Sequence, residues 1–417
     1  MNRLRGLGRI LSAQIGLNML SKSYKRYLLT YMLFTIGGTI SSSYFSFFLL
    51  RATGSESSLR IYNLLIACVQ PFIMLPALAV LKRWSVSVCM RIGLLIHTAA
   101  YALLAASGNA DMATVYAVSA MLSSGNAFIF TAYTPQQLAY ATDENRDACY
   151  GVVSVLSTIV SLVLPLTTGL FISRFDDLTG YSVLFAVSSL ITLGSFAASF
   201  RLTPVVYGDR RQKNVLRRTM KAFLGSKKIW ASMIATMLDA MRAHGFGFFS
   251  ALLVFDLIGR ESVMAVFSVA TTIVNMMMSI AYTRMATPRN RGWLMLLGAV
   301  GYTIAVAIVC LDHTFTGYIM YALLSTIVSV FISNPVLTSY LSAVQNDSFL
   351  CQHGAEVHLL REVFVASGRV IGLLPAFLMP DPIEYAAVMM LLFAAVQIPA
   401  ALLTKYLQRR VNLEQST

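Results

Sequence analysis

Charge is what this chain has least of. Asp, Glu, Lys and Arg make up only 12% of its 417 residues against 57% hydrophobic, and the mean hydropathy is +0.69, which excludes a soluble globular domain. Acid is scarcer than base: 18 Asp and Glu face 32 Lys and Arg, for a formal net charge of +14. A nucleic-acid binder gathers such an excess on one soluble face, whereas here the bases fall between apolar runs, so no nucleic-acid partner is expected. The five cysteines, Cys68, Cys89, Cys149, Cys310 and Cys351, show neither paired spacing nor a CxxC, and support neither a disulfide framework nor a zinc site. There is no P-loop, no HExxH and no polar stretch long enough to fold a catalytic module. An enzyme is therefore not expected, nor a cofactor or metal.

What is present is a series of apolar runs. Crossing a bilayer takes roughly 20 apolar residues. Cutting the chain at polar and turn-forming clusters leaves twelve such runs, at 27–50, 61–81, 86–107, 113–137, 148–172 and 181–200, then 229–254, 262–283, 292–311, 315–339, 357–379 and 385–404. Between the two groups of six lies the basic stretch Arg201 to Lys228, with nine Lys or Arg against the single acid Asp209. The expected organisation is a cytoplasmic or interfacial segment 1–26, a six-helix bundle 27–200, a basic linker 201–228, a second six-helix bundle 229–404 and a cytoplasmic tail 405–417. Arg3, Arg5 and Arg9 among Leu4, Leu7, Ile10 and Leu11 predict an interfacial amphipathic helix at the start, not a signal peptide.

The distribution of base orients the spans. Six Lys and Arg precede the first span, nine sit in the linker and three in the tail, whereas the opposite loops hold only Arg51, Arg60, Arg174 and Arg260. Basic residues accumulate on the cytoplasmic side. An even number of spans with both termini cytoplasmic, in the inner or plasma membrane of the cell, is the expectation. Pro135 and Pro165 in the fourth and fifth spans have positional counterparts in Pro335 and Pro375 of the tenth and eleventh, as a parallel repeat would produce.

Twelve spans in two groups of six, joined by a long basic loop, resemble the major facilitator superfamily of secondary transporters. That resemblance implies an all-α membrane protein with two six-helix halves. Locally the match is degenerate. The family's turn between its second and third helices, G-x-x-x-D-(R/K)-x-G-(R/K)-(R/K), is met by Ala77, Leu81, Lys82 and Arg83, which keep the positive charge and lose the acid. The corresponding turn in the second half reads Ser279, Thr283, Arg284, Arg289 and Arg291, again without the acid. In the fifth span, Leu164 to Gly169 reads LPLTTG and keeps Pro165 and the last glycine of a pattern common in family exporters.

Ionisable groups within apolar spans need a partner or a role, because each costs about 2.5–3.5 kcal/mol at the centre of a membrane helix. Asp239 and Arg242 stand three apart in the seventh span and share a face, as a self-satisfied pair or as part of a cavity wall with Asp239 taking up a proton. Glu362 and Arg369 stand two helical turns apart in the eleventh. Arg369 is either the counter-charge of Asp239 or Glu362, or an anchor for an anionic group of the substrate. His244 reads as a structural histidine, Arg91 as a clamping or snorkelling arginine, and His97 as buried and neutral. The first six spans contain no carboxylate, so any proton coupling is expected on Asp239 or Glu362. Asn126, Tyr133, Asn334 and Gln70 are uncharged candidates for the same cavity or for helix-to-helix hydrogen bonds.

The function these residues support is secondary transport of a small organic or amphipathic solute by alternating access, driven by the proton gradient and favouring export. Uptake or exchange of an organic anion held by Arg242 and Arg369 is a second reading. A lipid flippase or a non-transporting receptor on the same scaffold is a third. The expected partners are the lipid bilayer and a small-molecule substrate, and the chain is expected to act as a monomer.

Overall fold

The computed structural model describes residues 20–107, 111–140, 146–207, 214–257, 261–287, 290–312, 314–345, 347–379 and 384–414, and these are almost entirely helical with no strand among them. The amphipathic segment expected before residue 20 lies outside the described residues. In chain order the helices are α1 Lys22–Ser42, α2 Phe45–Thr53, α3 Glu56–Arg83, α4 Val86–Ser107, α5 Met112–Tyr140, α6 Arg146–Ile172, α7 Thr179–Ser199, α8 Val215–Gly225, α9 Lys227–Leu257, α10 Glu261–Met285, α11 Arg291–Leu311, α12 Phe315–Gln345, α13 Ser348–Gln352, α14 Gly354–Leu378, α15 Ala386–Ala395 and α16 Gln397–Glu414.

Two spans are interrupted, each for a local reason. Between α1 and α2 the hydroxyl of Ser43 donates to the carbonyl of Thr39 at 2.6 Å, a back-bond of the kind that bends helices. Between α15 and α16 the chain turns at Val396, three residues before Pro399, whose missing N–H cannot continue the helical ladder. Counting α1–α2 and α15–α16 as one span each gives twelve membrane-length helices among the described residues, and the chain is an all-α, multi-pass membrane protein.

Length and apolar composition alone qualify ten of these twelve as membrane-crossing. The two that fall outside that description are α9 and α14, the seventh and eleventh. They are 31 and 25 residues long, so length is not the reason. They carry Asp239, Arg242, His244, Arg361, Glu362 and Arg369, and those charges lower their hydropathy.

The chain divides into two compact units, one of Met1–Phe48 and Ile73–Arg211, the other of Leu49–Phe72 and Gln212–Thr417. Within each unit the helices pair in the same pattern. In the first, α1 packs on α6 and α7, and α4 on α5 and α7. In the second, α9 packs on α14 and on α15–α16, and α11 on α12 and on α15–α16. The first, third, fourth, fifth and sixth helices of one unit thus have the neighbours of the seventh, ninth, tenth, eleventh and twelfth of the other.

Close packing depends on glycine at particular points. A Cβ on Gly93 would lie 2.8 Å from the carbonyl oxygen of Gly125, which draws α4 against α5. On α14, Gly368 and Gly372 stand four apart, and a Cβ at either would run into the backbone carbonyl of Met237 or Met241 on α9. A Cβ on Gly245 would meet the carbonyl of Gly372 at 2.9 Å. Since lipid is as apolar as the side chains, helices in a membrane associate through such close backbone approach and not through the hydrophobic effect. The motif residues Ala77 and Leu81 are fully buried among Tyr27, Met90 and Ile129 in the first unit, where apolar side chains replace the family's glycine and aspartate.

The contrast between glycines yields a test. Gly372→Ala must force α9 and α14 apart, a change of the overpacking kind worth roughly 1–3 kcal/mol. Gly247, also on α9, has nothing within 4 Å of a built Cβ. Gly247→Ala is expected to leave thermal stability in detergent unchanged or raise it, and Gly372→Ala to lower it. Equal melting temperatures for the two variants would contradict the close approach.

Candidate functional site

Both clusters of membrane-depth charge lie in the second unit, on the glycine-packed pair α9 and α14. On α9 the Nη2 of Arg242 donates to Oδ1 of Asp239 at 2.7 Å and its Nε to the same oxygen at 3.3 Å. The guanidinium is buried, with its carbon 4.9 Å from the ring centre of Tyr302 on α11, and Nη2 also reaches the hydroxyl of Ser333 on α12 at 3.3 Å. Three helices therefore close around one arginine. A distance of 2.7 Å is that of a charge-assisted hydrogen bond, so this pair is tight.

The second cluster is built differently. Glu362 on α14 is 5% exposed, and two arginines of its own helix flank it. Arg361 Nη1 stands 3.6 Å from one carboxylate oxygen, and Arg369 Nη1 stands 3.7 Å from the other. Gln70 on α3 bridges them: its Nε2 donates to Glu362 at 3.4 Å and its Oε1 accepts from Arg369 at 3.5 Å. All of these separations exceed the 2.7–3.2 Å of a well-formed hydrogen bond. Coulomb attraction holds the groups near one another without locking them into well-formed hydrogen bonds. The outer arginine, Arg361, rests over the ring of Tyr340 on α12, 5.3 Å from its centre.

The alternatives that the sequence left for Arg369 are thereby narrowed: its acidic neighbour is Glu362, and Asp239 keeps Arg242. Among the five groups of these two clusters three arginines face two carboxylates, an excess of one positive charge. His244, also on α9, has its Nε2 3.4 Å from the carbonyl oxygen of Asn63 on α3.

The remaining candidates are more scattered. Asn126 lies in the first unit, where its Oδ1 is 3.1 Å from Nε2 of the buried His97. Tyr133 joins an aromatic group with Tyr31, at 4.9 Å between ring centres, and Tyr27. Arg91 clamps the end of α7: it donates to the carbonyl of Ser199 at 3.2 Å and covers the ring of Phe200 at 4.5 Å. Asn334 is half-buried on α12, and it is its neighbour Ser333 that touches Arg242. Ser333, Tyr302, Tyr340 and Asn63 were not singled out in the sequence. Each is a common residue far along the chain from its partner, with no spacing signal to reveal it. Among the described residues there is no group of His, Cys, Asp and Glu fit to hold a metal ion.

Comparison with known proteins follows the same lines. The family model described as Major Facilitator Superfamily matches residues 27–348. An uncharacterised protein of Bacillus subtilis strain 168, YqgE, is 23% identical over 351 residues, covering 82% of this chain and 79% of that protein. A second uncharacterised protein, from the sodM 3′ region of Geobacillus stearothermophilus, is 23% identical over 177 residues, covering 42% of this chain and 83% of that protein. Among solved structures, a mutant of the nucleoside transporter NupG superposes with TM-score 0.71 at 14% identity, covering 93% of this chain and all of that one. A structure from work on substrate recognition in proton-dependent oligopeptide transporters superposes with TM-score 0.64 at 15% identity, covering 95% and 99%. At these identities the structural likeness carries the fold.

The tight pair can be tested by a double-mutant cycle. Removing one partner strands a buried charge, so Asp239→Ala is expected to lower stability by roughly 3 kcal/mol, whereas replacing both partners with apolar groups is often nearly neutral. Asp239→Ala combined with Arg242→Met should therefore recover most of the loss in a denaturation assay on purified protein. Additive losses in the double variant would mean that the two side chains do not stabilise each other.

Proposed function

Because the chain belongs to the Major Facilitator Superfamily and is a secondary transporter by family and fold, we propose that it couples solute movement to protons through Glu362, with Arg369 as the group that proton uptake releases. The observation that carries this reading is the looseness of the Glu362 cluster beside the tightness of Asp239 and Arg242. A proton on Glu362 cancels its attraction for both arginines and returns Gln70 to other partners. Conversely, a conformation that draws the arginines away leaves the carboxylate without its counter-charges. Proton binding and helix movement are thus linked in both directions, as alternating access requires. Asp239 has the same chemistry but is held by a short hydrogen bond, and its role in this reading is to keep Arg242 compensated.

The solute is a small organic or amphipathic compound. Export is supported by the LPLTTG run in α6, where Pro165 interrupts the helical ladder and the hydroxyl of Thr168 donates back to the carbonyl of Leu164 at 2.6 Å. The placement of the basic residues supports both termini on the cytoplasmic side of the cell membrane. The excess positive charge beside Glu362 favours one alternative, exchange of an organic anion that Arg369 would hold once it is free. Flippase or receptor activity would leave solute-dependent proton flux absent.

The measurement is proton flux in proteoliposomes loaded with a pH-sensitive dye. A solute found by thermal-shift screening against metabolites and drugs is expected to drive flux in the wild-type protein. Glu362→Gln should abolish the flux and leave solute exchange without a gradient intact. Flux unchanged in both Glu362→Gln and Asp239→Asn rules out proton coupling at either carboxylate, and a requirement for anionic solutes selects the exchange reading.

A further inference from the structure

The basic linker, read in the sequence as a connecting loop, contains an amphipathic helix whose two faces have different partners. On α8, Val215, Thr219 and Phe223 are buried. Phe223 packs with Ile229, Tyr340, Leu350 and Val357, and its ring lies 6.2 Å from that of Phe364 on α14. The opposite stripe, Arg217, Met220, Lys221 and Leu224, follows the spacing of three and four that puts residues on one helix face, and all four are exposed, as is Arg218 beside them. Met220 and Leu224, each 42% exposed, add apolar surface to the basic stripe. The helix contains no acid, and among the described residues no ion pair is recorded for Arg217, Arg218 or Lys221.

Covalent geometry sets where this stripe lies. Ser226 alone separates α8 from the membrane-crossing α9, and its hydroxyl accepts from the backbone N–H of Ile229 at 3.4 Å as the new helix begins. Trp230, 40% exposed one turn into α9, is of the residue type enriched where headgroups meet hydrocarbon. A helix joined at that level through one residue stays at the interface.

We infer that the outer face of α8 binds anionic phospholipid of the adjoining leaflet, with Arg217, Arg218 and Lys221 on the headgroup phosphates and Met220 and Leu224 at the acyl boundary. The charge is complementary, and the mixture of base and apolar side chain on one stripe is that of an interfacial helix, where a soluble acidic partner would meet base alone. Each basic residue near an anionic surface contributes roughly a fivefold preference, so three amount to about 100-fold. Lipid on the outer face presses the inner face onto α14, two residues beyond Glu362 at Phe364. The leaflet's composition thereby bears on the helix that carries the loose cluster.

Hydrogen exchange of residues 215–225, measured on the full chain in nanodiscs of phosphatidylcholine with and without phosphatidylglycerol, tests this. Exchange is expected to slow roughly tenfold or more with phosphatidylglycerol, an effect that high salt removes by screening. The variant R217Q/R218Q/K221Q keeps the buried stripe and should match the wild type in phosphatidylcholine while losing the response to phosphatidylglycerol. Identical exchange of the wild type in both lipids, or a response that survives salt, overturns the inference, and the salt titration decides the matter even if the triple variant fails to fold. Protection by a soluble polyglutamate peptide and not by phosphatidylglycerol would also overturn it, in favour of an acidic protein.

Discussion

Everything distinctive in the second unit depends on how closely α14 approaches α9. Two glycines on one helix face carbonyl oxygens on the other, and nothing larger than hydrogen fits at Gly368 or Gly372. In hydrocarbon, where no solvent drives apolar faces together, such contact is what makes two helices a unit. The same two helices carry charges that hydrocarbon would otherwise expel. Glycine packing and charge compensation are therefore solved by one pair, the glycine row occupying one face of α14 and the Glu362 to Arg369 row a neighbouring face about 100° or less away by helical periodicity.

The two carboxylates on this pair differ in how tightly they are held. Asp239 is bound at 2.7 Å by an arginine that is also covered by Tyr302 and reached by Ser333, so moving it means breaking contacts on three helices at once. Glu362 has more neighbours but no short contact, and its arrangement can change without the loss of any well-formed hydrogen bond. A switch must have two states of similar energy. Loose Coulombic contacts allow that, and a buried short pair does not.

Much of this fold is legible from the residues alone, because the bilayer imposes lengths and the translocation machinery imposes charge placement. The runs at 86–107, 181–200 and 292–311 coincide closely with α4, α7 and α11, and the prolines at 135, 165, 335 and 375 lie inside helices. Individual partnerships were less legible. Spacing of three made Asp239 and Arg242 a visible pair, but the choice of Arg369 between two acids, and the bridging by Gln70 from nearly 300 residues away, are set by tertiary packing. The helix in the linker is hidden in the sequence for a different reason. The nine basic residues of 201–228 have the pattern of a solvated loop, and they mask the helical period of Val215, Thr219 and Phe223.

The repeated pairing of helices makes the difference between the units more informative. The fifth helix, α6, packs on α1 as the eleventh packs on the seventh, yet the apolar runs of the first six spans contain no carboxylate. The polar groups buried there are neutral or serve as clamps, such as His97 with Asn126, and Arg91 over Phe200. Coupling does not require both repeats to titrate. A ligand or a proton biases a two-state protein by its differential affinity for the two states, and one responsive element suffices to supply that difference. Placing both of these carboxylates in one repeat also limits the desolvation penalty of buried acid to one helix pair.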